Sequence, residues 1–294
     1  MNKLIVILGP TSSGKTGLSI RLAKKFNGEV VSADSRQVYK GMDIGSGKVT
    51  KKEMQEIPHH LLDVANPKNR FSVAQYQKLA LKEIKKIQDK NKIPFLVGGT
   101  GFYIQSVVDG IVIPKVKPNW KLREKLILQP LSELYKQLLE LDPVRAGNID
   151  QNNPRRVIRA LEITLTLKRP VRPLSRNGSK FDMLLLGLNK DRNVLNKLIK
   201  TRLLERLKQG MIKEVKKMHA SGVSWKRLEE FGLEYRLVAQ YLQKKLEYDK
   251  MVEILQKEIE HFAKRQMTWF KRDKRILWTK NYKEAEKLLE KFLQ

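Results

Sequence analysis

One stretch of eight residues restricts the fold of this chain more than any other. Residues 9–16, GPTSSGKT, match the pattern G-x-x-x-x-G-K-[ST] and directly follow the apolar run at residues 4–8, LIVIL. A helix-forming segment starts at about Lys15. In this strand–loop–helix context, the pattern predicts a phosphate-binding loop whose backbone N–H groups point at phosphate oxygens. We therefore expect this segment to bind a di- or triphosphate.

The side chains of this loop suit a di- or triphosphate accompanied by a magnesium ion. Lys15 neutralises phosphate charge, the Thr16 hydroxyl can hold Mg²⁺, and the helix N-terminus adds about half a positive charge. Mg²⁺ is the cofactor that this interpretation implies. The loop residues expected to bind the phosphates are Gly9, Thr11, Ser12, Ser13, Gly14, Lys15 and Thr16.

Strand and helix signals alternate over the first 110 residues, which is typical of a parallel sheet covered by helices. Helical, charged sequence follows residue 114, and an apolar run resumes at residues 183–188. The predicted fold class is α/β, with a P-loop parallel sheet core flanked by helices and a helical insertion domain. We assign residues 1–114 and 183–294 to the core and residues 115–182 to the insertion. Further strands are predicted at 29–32, 94–97 and 275–278, and helices at 15–26 and 72–90.

The charge of the chain predicts a polyanionic partner. Sixty lysines and arginines face 31 aspartates and glutamates, a formal net charge of +29 over 294 residues, and 41% of the residues are hydrophobic. A folded protein this basic is expected to bind nucleic acid or an anionic membrane surface. The apolar run near the start is far shorter than the ~20 residues of a membrane span and does not resemble a signal peptide. We therefore expect no membrane partner and a cytoplasmic protein, and the absence of cysteine excludes disulfides and thiolate metal sites.

Two further segments are expected beside the phosphate loop, because ligands of open parallel sheets bind outside the carboxyl ends of the strands. Asp34 follows the strand at 29–32, and Thr100 lies in the sequence GGTG after the strand at 94–97. The second strand lacks the acidic residue expected of an NTPase, and Thr100 instead offers a hydroxyl to a phosphate or leaving-group oxygen. Asp34 is interpreted either as a helix N-cap or as a carboxylate that holds Mg²⁺ or acts as a general base.

Uncompensated basic residues on helices predict contacts with a phosphate backbone. Lys264 and Arg265 belong to a basic cluster in which Asp273 is the single acid, so a solvated helix face is the less favoured interpretation. Gln266 interrupts the apolar stripe of the same helix and is interpreted as a buried residue near the site or as a purely structural one. A second set of cations expected to contact RNA lies in the insertion: Arg155, Arg156 and Arg159.

Six separated motifs resemble those of one known family. In chain order they are GPTSSGKT, ADSRQVYKGMDIGSGK, HHLLD, VGGTGFYIQS, NNPRRVIRALE and AKRQMTWFKR. From residue 4 to about residue 278, the chain resembles the tRNA dimethylallyltransferases, the bacterial tRNA isopentenyltransferase family. The resemblance implies transfer of the dimethylallyl group of dimethylallyl diphosphate to N6 of the adenosine immediately 3′ of the tRNA anticodon, position 37, with release of pyrophosphate.

The resemblance also implies roles for single residues. Asp34 would take the N6 proton, and Thr100 would donate a hydrogen bond to the bridging oxygen of the leaving group. Lys15 and Thr16 would handle the diphosphate and Mg²⁺. The remaining implied contacts are Arg202 with the diphosphate, Ser35 and Gln37 with the adenine, and the insertion and basic helices with the anticodon stem-loop.

Alternatives from other functional classes remain open at this stage. A transferase that prenylates free adenine nucleotides would need the crevice without the basic helices. A nucleotide kinase should carry an acidic residue at the end of the strand at 94–97, and a protein that only binds RNA would not need the phosphate loop. Leu198 and Val49 stand where the family usually has arginine and proline, and neither is given a role. Nothing in the sequence calls for more than a monomer.

Overall fold

The computed structural model describes residues 2–114, 116–170 and 178–294, and the chain divides into two compact units. The larger unit comprises Met1–Val108 and Ser179–Gln294, and the smaller unit comprises Asp109–Gly178. The chain therefore leaves the larger unit after its first part and returns to complete it. The insertion predicted from the sequence, 115–182, starts and ends a few residues later than the smaller unit.

A parallel sheet forms the centre of the larger unit. Its strands are β1 (Lys3–Leu8), β2 (Gly28–Ser32), β3 (His59–His60), β4 (Ile93–Gly98), β5 (Asp182–Leu188) and β6 (Leu277–Thr279). Within the described residues their order is β3-β2-β4-β1-β5-β6, and Ile5 of β1 lies opposite Phe95 of β4 and Leu184 of β5. Because the strands are parallel, the loops that follow β1, β2 and β4 leave from the same edge of the sheet.

Helices account for most of the remaining regular structure. In chain order they are α1 (Lys15–Lys25), α2 (Lys51–Met54), α3 (Val73–Asp89), α4 (Gly101–Val108), α5 (Trp120–Leu126), α6 (Leu131–Leu141), α7 (Pro143–Gly147), α8 (Pro154–Leu167), α9 (Arg192–Gln209), α10 (Met211–Ala220), α11 (Trp225–Phe231), α12 (Leu233–Leu242), α13 (Tyr248–Phe270) and α14 (Tyr282–Leu293). Within the described residues, no helix combines the length and the apolar content that crossing a bilayer demands.

Both faces of the sheet are covered, which explains why the first strand is an uninterrupted apolar run. Leu4 and Val6 of β1 belong to the hydrophobic core on the face covered by α3, α4 and α9 to α13. Ile5 and Ile7 belong to the core on the opposite face, which α1 and α14 cover. The predicted α/β fold, a P-loop parallel sheet flanked by helices, is confirmed.

The structure differs from the sequence predictions at two strands. His59 and His60 form β3, which pairs with Val30 and Val31 of β2. No sequence pattern predicts this strand, because it is two residues long and histidine has no strong β-propensity. The last strand, predicted at 275–278, lies at Leu277–Thr279, since Ile276 packs into the core before the strand begins.

The smaller unit is helical and has its own hydrophobic core, to which α5, α6 and α8 contribute Leu126, Leu138 and Leu161. Asn153 caps α8 by accepting a hydrogen bond from the Arg156 N–H at 3.3 Å, and proline occupies the first turn of that helix. A side-chain cap followed by proline is a typical helix start, so local sequence fixes where α8 begins.

Candidate active site

The phosphate loop between β1 and α1 has a backbone conformation that its sequence allows. Gly9 has a φ of 152°, and a Cβ at this position would lie 2.6 Å from the carbonyl oxygen of Leu188. Ser12 and Gly14 also have positive φ values, 59° and 94°. The Ser13 hydroxyl oxygen is buried and has no hydrogen-bond partner in the described part of the chain. A buried, unpaired hydroxyl beside a helix N-terminus suits an anionic ligand.

Two cations of the larger unit, Lys15 and Arg202, are held close to this loop. The Lys15 ammonium donates a hydrogen bond to the Pro10 carbonyl oxygen at 2.6 Å. Burial and the Arg202 guanidinium lower the pKa of Lys15 to about 8, against the opposing effect of Asp34. Burial and the neighbouring Arg206 lower the pKa of Arg202 to about 10. Burial and mutual repulsion thus disfavour the charged forms of Lys15 and Arg202, and a bound anion would stabilise these charged forms.

Backbone hydrogen bonds bring the segments after β2 and β4 together. The Ala33 N–H donates to the Val97 carbonyl oxygen at 2.7 Å, and the Thr100 N–H donates to the Ala33 carbonyl oxygen at 3.2 Å. The Ser35 N–H then donates to Thr100 Oγ1 at 3.0 Å. Because this bond occupies a lone pair of the hydroxyl oxygen, Thr100 keeps its own hydrogen for an oxygen atom of a ligand.

The Asp34 carboxylate is oriented by the turn that follows it. Its Oδ1 atom accepts hydrogen bonds from the N–H groups of Arg36 at 2.8 Å and Gln37 at 3.3 Å. Residues 35–38 form a turn and not a helix, so Asp34 caps a turn. Within the described residues no hydrogen bond reaches Oδ2, and Asp34 lines a cavity. One carboxylate oxygen therefore fixes the side chain while the other is available to a ligand.

A loop at residues 43–47 receives hydrogen bonds from several polar side chains of the site. The Gly47 carbonyl oxygen accepts from Gln37 Nε2 at 3.2 Å and from Arg202 Nη2 at 3.3 Å. Arg206 Nη1 donates to the Gly45 carbonyl oxygen at 3.3 Å and forms an ion pair with Glu234 at 3.2 Å. Burial raises the pKa of Glu234, and the attraction of Arg206 does not fully offset this.

Gln266 of α13 ties the phosphate loop to the end of β4. Its Oε1 atom accepts from the Thr11 N–H at 2.8 Å, and its Nε2 atom donates to the Gly99 carbonyl oxygen at 2.9 Å. The side chain is 7% exposed. A Cβ on Gly99 would overlap the Gln266 amide, so the glycine permits this contact. Gln266 is thus buried and hydrogen-bonded beside the cavity, where it joins two segments of the site.

One cavity of the larger unit gathers side chains from all these segments. Gly98 and Gly99 line it at the end of β4, where an NTPase would carry its acidic residue. Gly9, Ser12, Ser13, Gly14, Ser35 and Thr100 belong to the same loops without lining the cavity. The predicted site residues that line it are Thr11, Lys15, Thr16, Asp34, Gln37, Arg202 and Gln266.

Comparison with known proteins identifies the family of this chain. The family model described as IPP transferase matches residues 37–273. The chain belongs to the IPP transferase family. The family resemblance of the six sequence motifs is therefore confirmed.

Relatives of the family match over nearly the whole chain. The chain is 44% identical over 285 residues to the protein named tRNA dimethylallyltransferase 1 of Syntrophus aciditrophicus, covering 95% of this chain and 93% of that protein. It is 40% identical over 300 residues to the tRNA dimethylallyltransferase of Carboxydothermus hydrogenoformans, covering 99% and 96%. Both matches therefore extend over nearly the full length of this chain and of the relative.

Solved structures of the family have the same fold. The full-length tRNA isopentenylpyrophosphate transferase of Bacillus halodurans has a TM-score of 0.74 and 34% identity, over 100% of this chain and 96% of that one. A eukaryotic dimethylallyltransferase acting on tRNA has a TM-score of 0.76 and 29% identity, over 92% of this chain and 70% of that one.

The basic residues predicted to contact RNA differ in their surroundings within this IPP transferase. Lys264 and Arg265 are exposed on α13, and Arg155 and Arg156 are exposed on α8. Arg159, in contrast, forms an ion pair with the fully buried Glu162 and donates to the Val116 carbonyl oxygen at 3.0 Å. Its guanidinium is thus engaged inside the smaller unit, which the spacing of the three arginines on adjoining helix faces did not reveal.

Several residues that line the cavity were not among the predicted site residues, and Arg206, Glu234 and His59 are three of them. Arg206 lies one helical turn after Arg202 on α9, a spacing that could have drawn attention to it. No sequence pattern drew attention to Glu234, and His59 stands in the motif HHLLD but was given no role. His59 Nδ1 lies 2.8 Å from the Ile57 carbonyl oxygen, and its Nε2 atom is buried without a hydrogen-bond partner in the described ranges. Burial lowers the pKa of His59.

Proposed function

We propose that this protein transfers the dimethylallyl group of dimethylallyl diphosphate to N6 of the adenosine immediately 3′ of the anticodon, tRNA position 37, and releases pyrophosphate. The observation that carries the proposal is the meeting of a phosphate loop, an oriented carboxylate and a threonine hydroxyl at one edge of the sheet. Relatives named tRNA dimethylallyltransferase support it, as does the solved eukaryotic enzyme acting on tRNA.

The leaving group is stabilised by two cations of the cavity and by the Thr100 hydroxyl of the adjoining loop. The bond between the allylic carbon and the bridging oxygen breaks, and its electron pair goes to the diphosphate. Lys15 and Arg202 neutralise the charge that develops, and the Thr100 hydroxyl donates a hydrogen bond to the bridging oxygen. Since an allylic carbon can carry positive charge, stabilising the departing diphosphate contributes most to the rate.

The acceptor nitrogen needs a base, because its lone pair is delocalised into the adenine ring. As the bond between N6 and the allylic carbon forms, N6 loses a proton to Asp34 Oδ2, the oxygen without a hydrogen bond from the described residues. The products are the N6-dimethylallyl adenosine, pyrophosphate and a protonated Asp34. Ser35 and Gln37 lie on the turn after Asp34, where we propose that they contact the adenine.

We also propose that the reaction depends on Mg²⁺. Thr16 is exposed in the first turn of α1 and offers a hydroxyl oxygen, a ligand type that Mg²⁺ accepts. No group of three or more His, Cys, Asp or Glu side chains in the described ranges is placed to hold a metal ion. The remaining ligands would thus come from the diphosphate and water. When bound, the ion would neutralise charge on the diphosphate.

The RNA is proposed to bind through the exposed basic residues. Arg155 and Arg156 of the smaller unit, with Lys264 and Arg265 of α13, are available for phosphates of the anticodon stem-loop. The target base must leave its stack to enter the cavity, which costs a few kcal/mol and is easier from a single-stranded loop. The proposal includes action as a monomer in the cytoplasm, without a membrane partner.

A prenyl-transfer assay tests the proposal. Labelled dimethylallyl diphosphate, MgCl₂ and an anticodon stem-loop with adenosine next to the anticodon should yield labelled RNA, whereas AMP should compete poorly as acceptor. Asp34→Asn should lower the rate ~10²- to 10⁴-fold, the usual contribution of a general base. Asp249→Asn, an exposed carboxylate on α13, is the matched control. Full activity of Asp34→Asn, or labelling of AMP as fast as RNA, would contradict the proposal.

A further inference from the structure

The loop at residues 43–47 determines where the diphosphate-binding arginine points. Arg202 and Gln37 both donate to the Gly47 carbonyl oxygen, at 3.3 and 3.2 Å. Gly45, Ser46 and Gly47 line the cavity. A shift of this backbone would therefore move a cation of the phosphate site and a side chain beside Asp34 together.

The loop is packed so closely that its glycines cannot be replaced without displacement. A Cβ at Gly45 would lie 2.8 Å from Tyr235 Cζ, and a Cβ at Gly47 would overlap the guanidinium groups of Arg202 and Arg206. Gly47 also has a φ of 59°, in the left-handed region. Two carbonyl oxygens of the loop accept hydrogen bonds from arginines of α9. The N–H groups of the loop need an acceptor group from another element.

That group is the carboxylate of Glu214, in the first turn of α10. Glu214 Oε2 accepts from the N–H groups of Asp43 at 2.9 Å and Ile44 at 2.6 Å, and Oε1 accepts from the Gly45 N–H at 3.0 Å. Three successive backbone donors thus converge on one anion. The loop is bound through its carbonyl oxygens by cations of α9 and through its N–H groups by an anion of α10.

Tyr235 completes the arrangement around the carboxylate. Its hydroxyl donates to Glu214 Oε1 at 2.8 Å, and the ring, 1% exposed, packs beneath Gly45. The preceding residue, Glu234, pairs with Arg206. Helix α12 therefore contacts both groups that hold the loop. Tyr235 donates to Glu214 of α10, and Glu234 pairs with Arg206 of α9.

We propose that Glu214 is a positioning residue of the prenyl-transfer reaction: its carboxylate fixes the loop at 43–47 and, through the Gly47 carbonyl oxygen, the Arg202 guanidinium that binds the diphosphate. Glu214 does not line the cavity and acts through the loop alone. The inference rests on the proposed function for the identity of the substrate, but inorganic pyrophosphate tests the loop without any transfer reaction.

Calorimetric titration with pyrophosphate in MgCl₂ measures the effect on the cavity. Glu214→Gln keeps the side-chain shape but places an amide N–H₂ against backbone donors, so we expect about tenfold weaker binding. The kcat/KM of prenyl transfer should fall about 10²-fold, since small misplacements of binding groups slow reactions strongly. The control is Glu205→Gln, which removes the same charge from an exposed position on α9 between Arg202 and Arg206 and should bind pyrophosphate as the wild type does.

Coupling to Arg202 separates positioning from general stabilisation. If Glu214 acts through Arg202, Glu214→Gln should change pyrophosphate binding less than about twofold in an Arg202→Ala background. An equal loss in both backgrounds would overturn the inference. Unchanged pyrophosphate binding in Glu214→Gln, with only a lower melting temperature, would overturn it as well.

A milder variant covers the case in which Glu214→Gln does not fold. Tyr235→Phe removes one hydrogen bond to the carboxylate and leaves its three backbone donors in place, so we expect about threefold weaker pyrophosphate binding that disappears in the Arg202→Ala background. Wild-type binding by Tyr235→Phe would then overturn the inference. If instead the wild type binds pyrophosphate and transfers no prenyl group, the proposed function fails while the role of Glu214 in anion binding stands.

Discussion

Each unit holds a glutamate beside two arginines, and the pKa values of these two glutamates shift in opposite directions. In the smaller unit, Glu162 accepts from Arg123 at 2.7 and 3.0 Å, from the Asn119 N–H at 2.5 Å and from Arg159. Burial alone would raise the pKa of Glu162, but these hydrogen bonds lower it. The negative charge is thereby fully matched by its partners.

In the cavity of the larger unit, the buried positive charges are not all paired with carboxylates. Glu234 is paired with Arg206 at 3.2 Å, and burial raises the pKa of this carboxyl. Arg202 instead points at a carbonyl oxygen, and burial with the repulsion of Arg206 lowers its pKa to about 10. Lys15 adds a further cation nearby. The cavity therefore retains an excess of buried positive charge.

The difference shows how the same residue types serve two purposes. Where donors saturate a buried carboxylate, removing one partner leaves an uncompensated charge, so the cluster contributes to stability. Where a buried cation such as Arg202 donates to a carbonyl oxygen and forms no ion pair with a carboxylate of the described residues, an anion from outside can supply that partner. The cluster around Glu162 is therefore expected to stabilise the fold, and the cluster around Arg202 is expected to bind the diphosphate at the expense of stability.

The largest effect should follow from breaking the saturated cluster. Glu162→Gln leaves Arg123 and Arg159 without their buried carboxylate and should lower the free energy of unfolding by about 3–5 kcal/mol. Urea denaturation measures this loss. Glu124→Gln, exposed on α5, should stay within about 0.5 kcal/mol of the wild type. Equal stability of the two variants would mean that the Glu162 cluster is not structural.

Removing a cation from the cavity should weaken ligand binding without lowering stability. Arg202→Ala should weaken pyrophosphate binding roughly 10- to 100-fold, as expected for a hydrogen bond to a charged group. Its melting temperature should be unchanged or higher, because a buried repulsion is relieved. Calorimetry and thermal unfolding of the same preparation check both expectations, and a loss of stability like that of Glu162→Gln would remove the contrast between the clusters.

The pH dependence of binding sharpens the comparison further. Because the pKa of Lys15 is lowered to about 8, this side chain is charged at pH 7 and largely neutral at pH 9 in the free protein. Pyrophosphate affinity should therefore fall about tenfold from pH 7 to pH 9 as the cation is lost. Lys15→Arg keeps its charge and reports the titration of pyrophosphate itself. The same slope in both proteins would contradict a role for Lys15 deprotonation.

The smallest effects are expected on the surface of the insertion. Arg155→Ala and Arg156→Ala should each weaken binding of the anticodon stem-loop a few-fold and reduce the slope of log K against log salt by about one. Arg159→Ala should mainly lower stability, since this arginine is engaged with Glu162. Filter binding at several salt concentrations distinguishes these outcomes. If Arg159→Ala reduced the salt slope and the other two substitutions did not, the assignment of Arg155 and Arg156 to RNA binding and of Arg159 to stability would be wrong.

The meeting of three segments at the site was predictable from sequence because it follows from topology. Parallel strands end at one edge of a sheet, so the residues after β1, β2 and β4 must lie together, and Asp34 and Thr100 do. The phosphate loop carries its own sequence pattern. These parts depend on local order along the chain and on a rule that holds for every sheet of this class.

Other parts of the site depend on contacts that no local pattern records. Arg206 and Glu234 meet across 28 positions of sequence, and Glu214 meets the Asp43 N–H across 171. The engagement of Arg159 was hidden because a helix periodicity shows which residues share a face and not what that face contacts. Side-chain partners across distant elements are set by packing, and the sequence alone does not give them.

The hydrogen bond between Gln266 and Thr11 has a consequence for the order in which the protein is made. These residues are 255 positions apart, so the phosphate loop emerges from the ribosome long before the side chain that accepts its hydrogen bond. Strand β1 likewise lacks its β5 partner along one edge until β5 has been synthesised. A nascent chain thus carries the phosphate-loop motif before it carries Gln266, and the hydrogen bonds around the loop are complete only after α13 has docked.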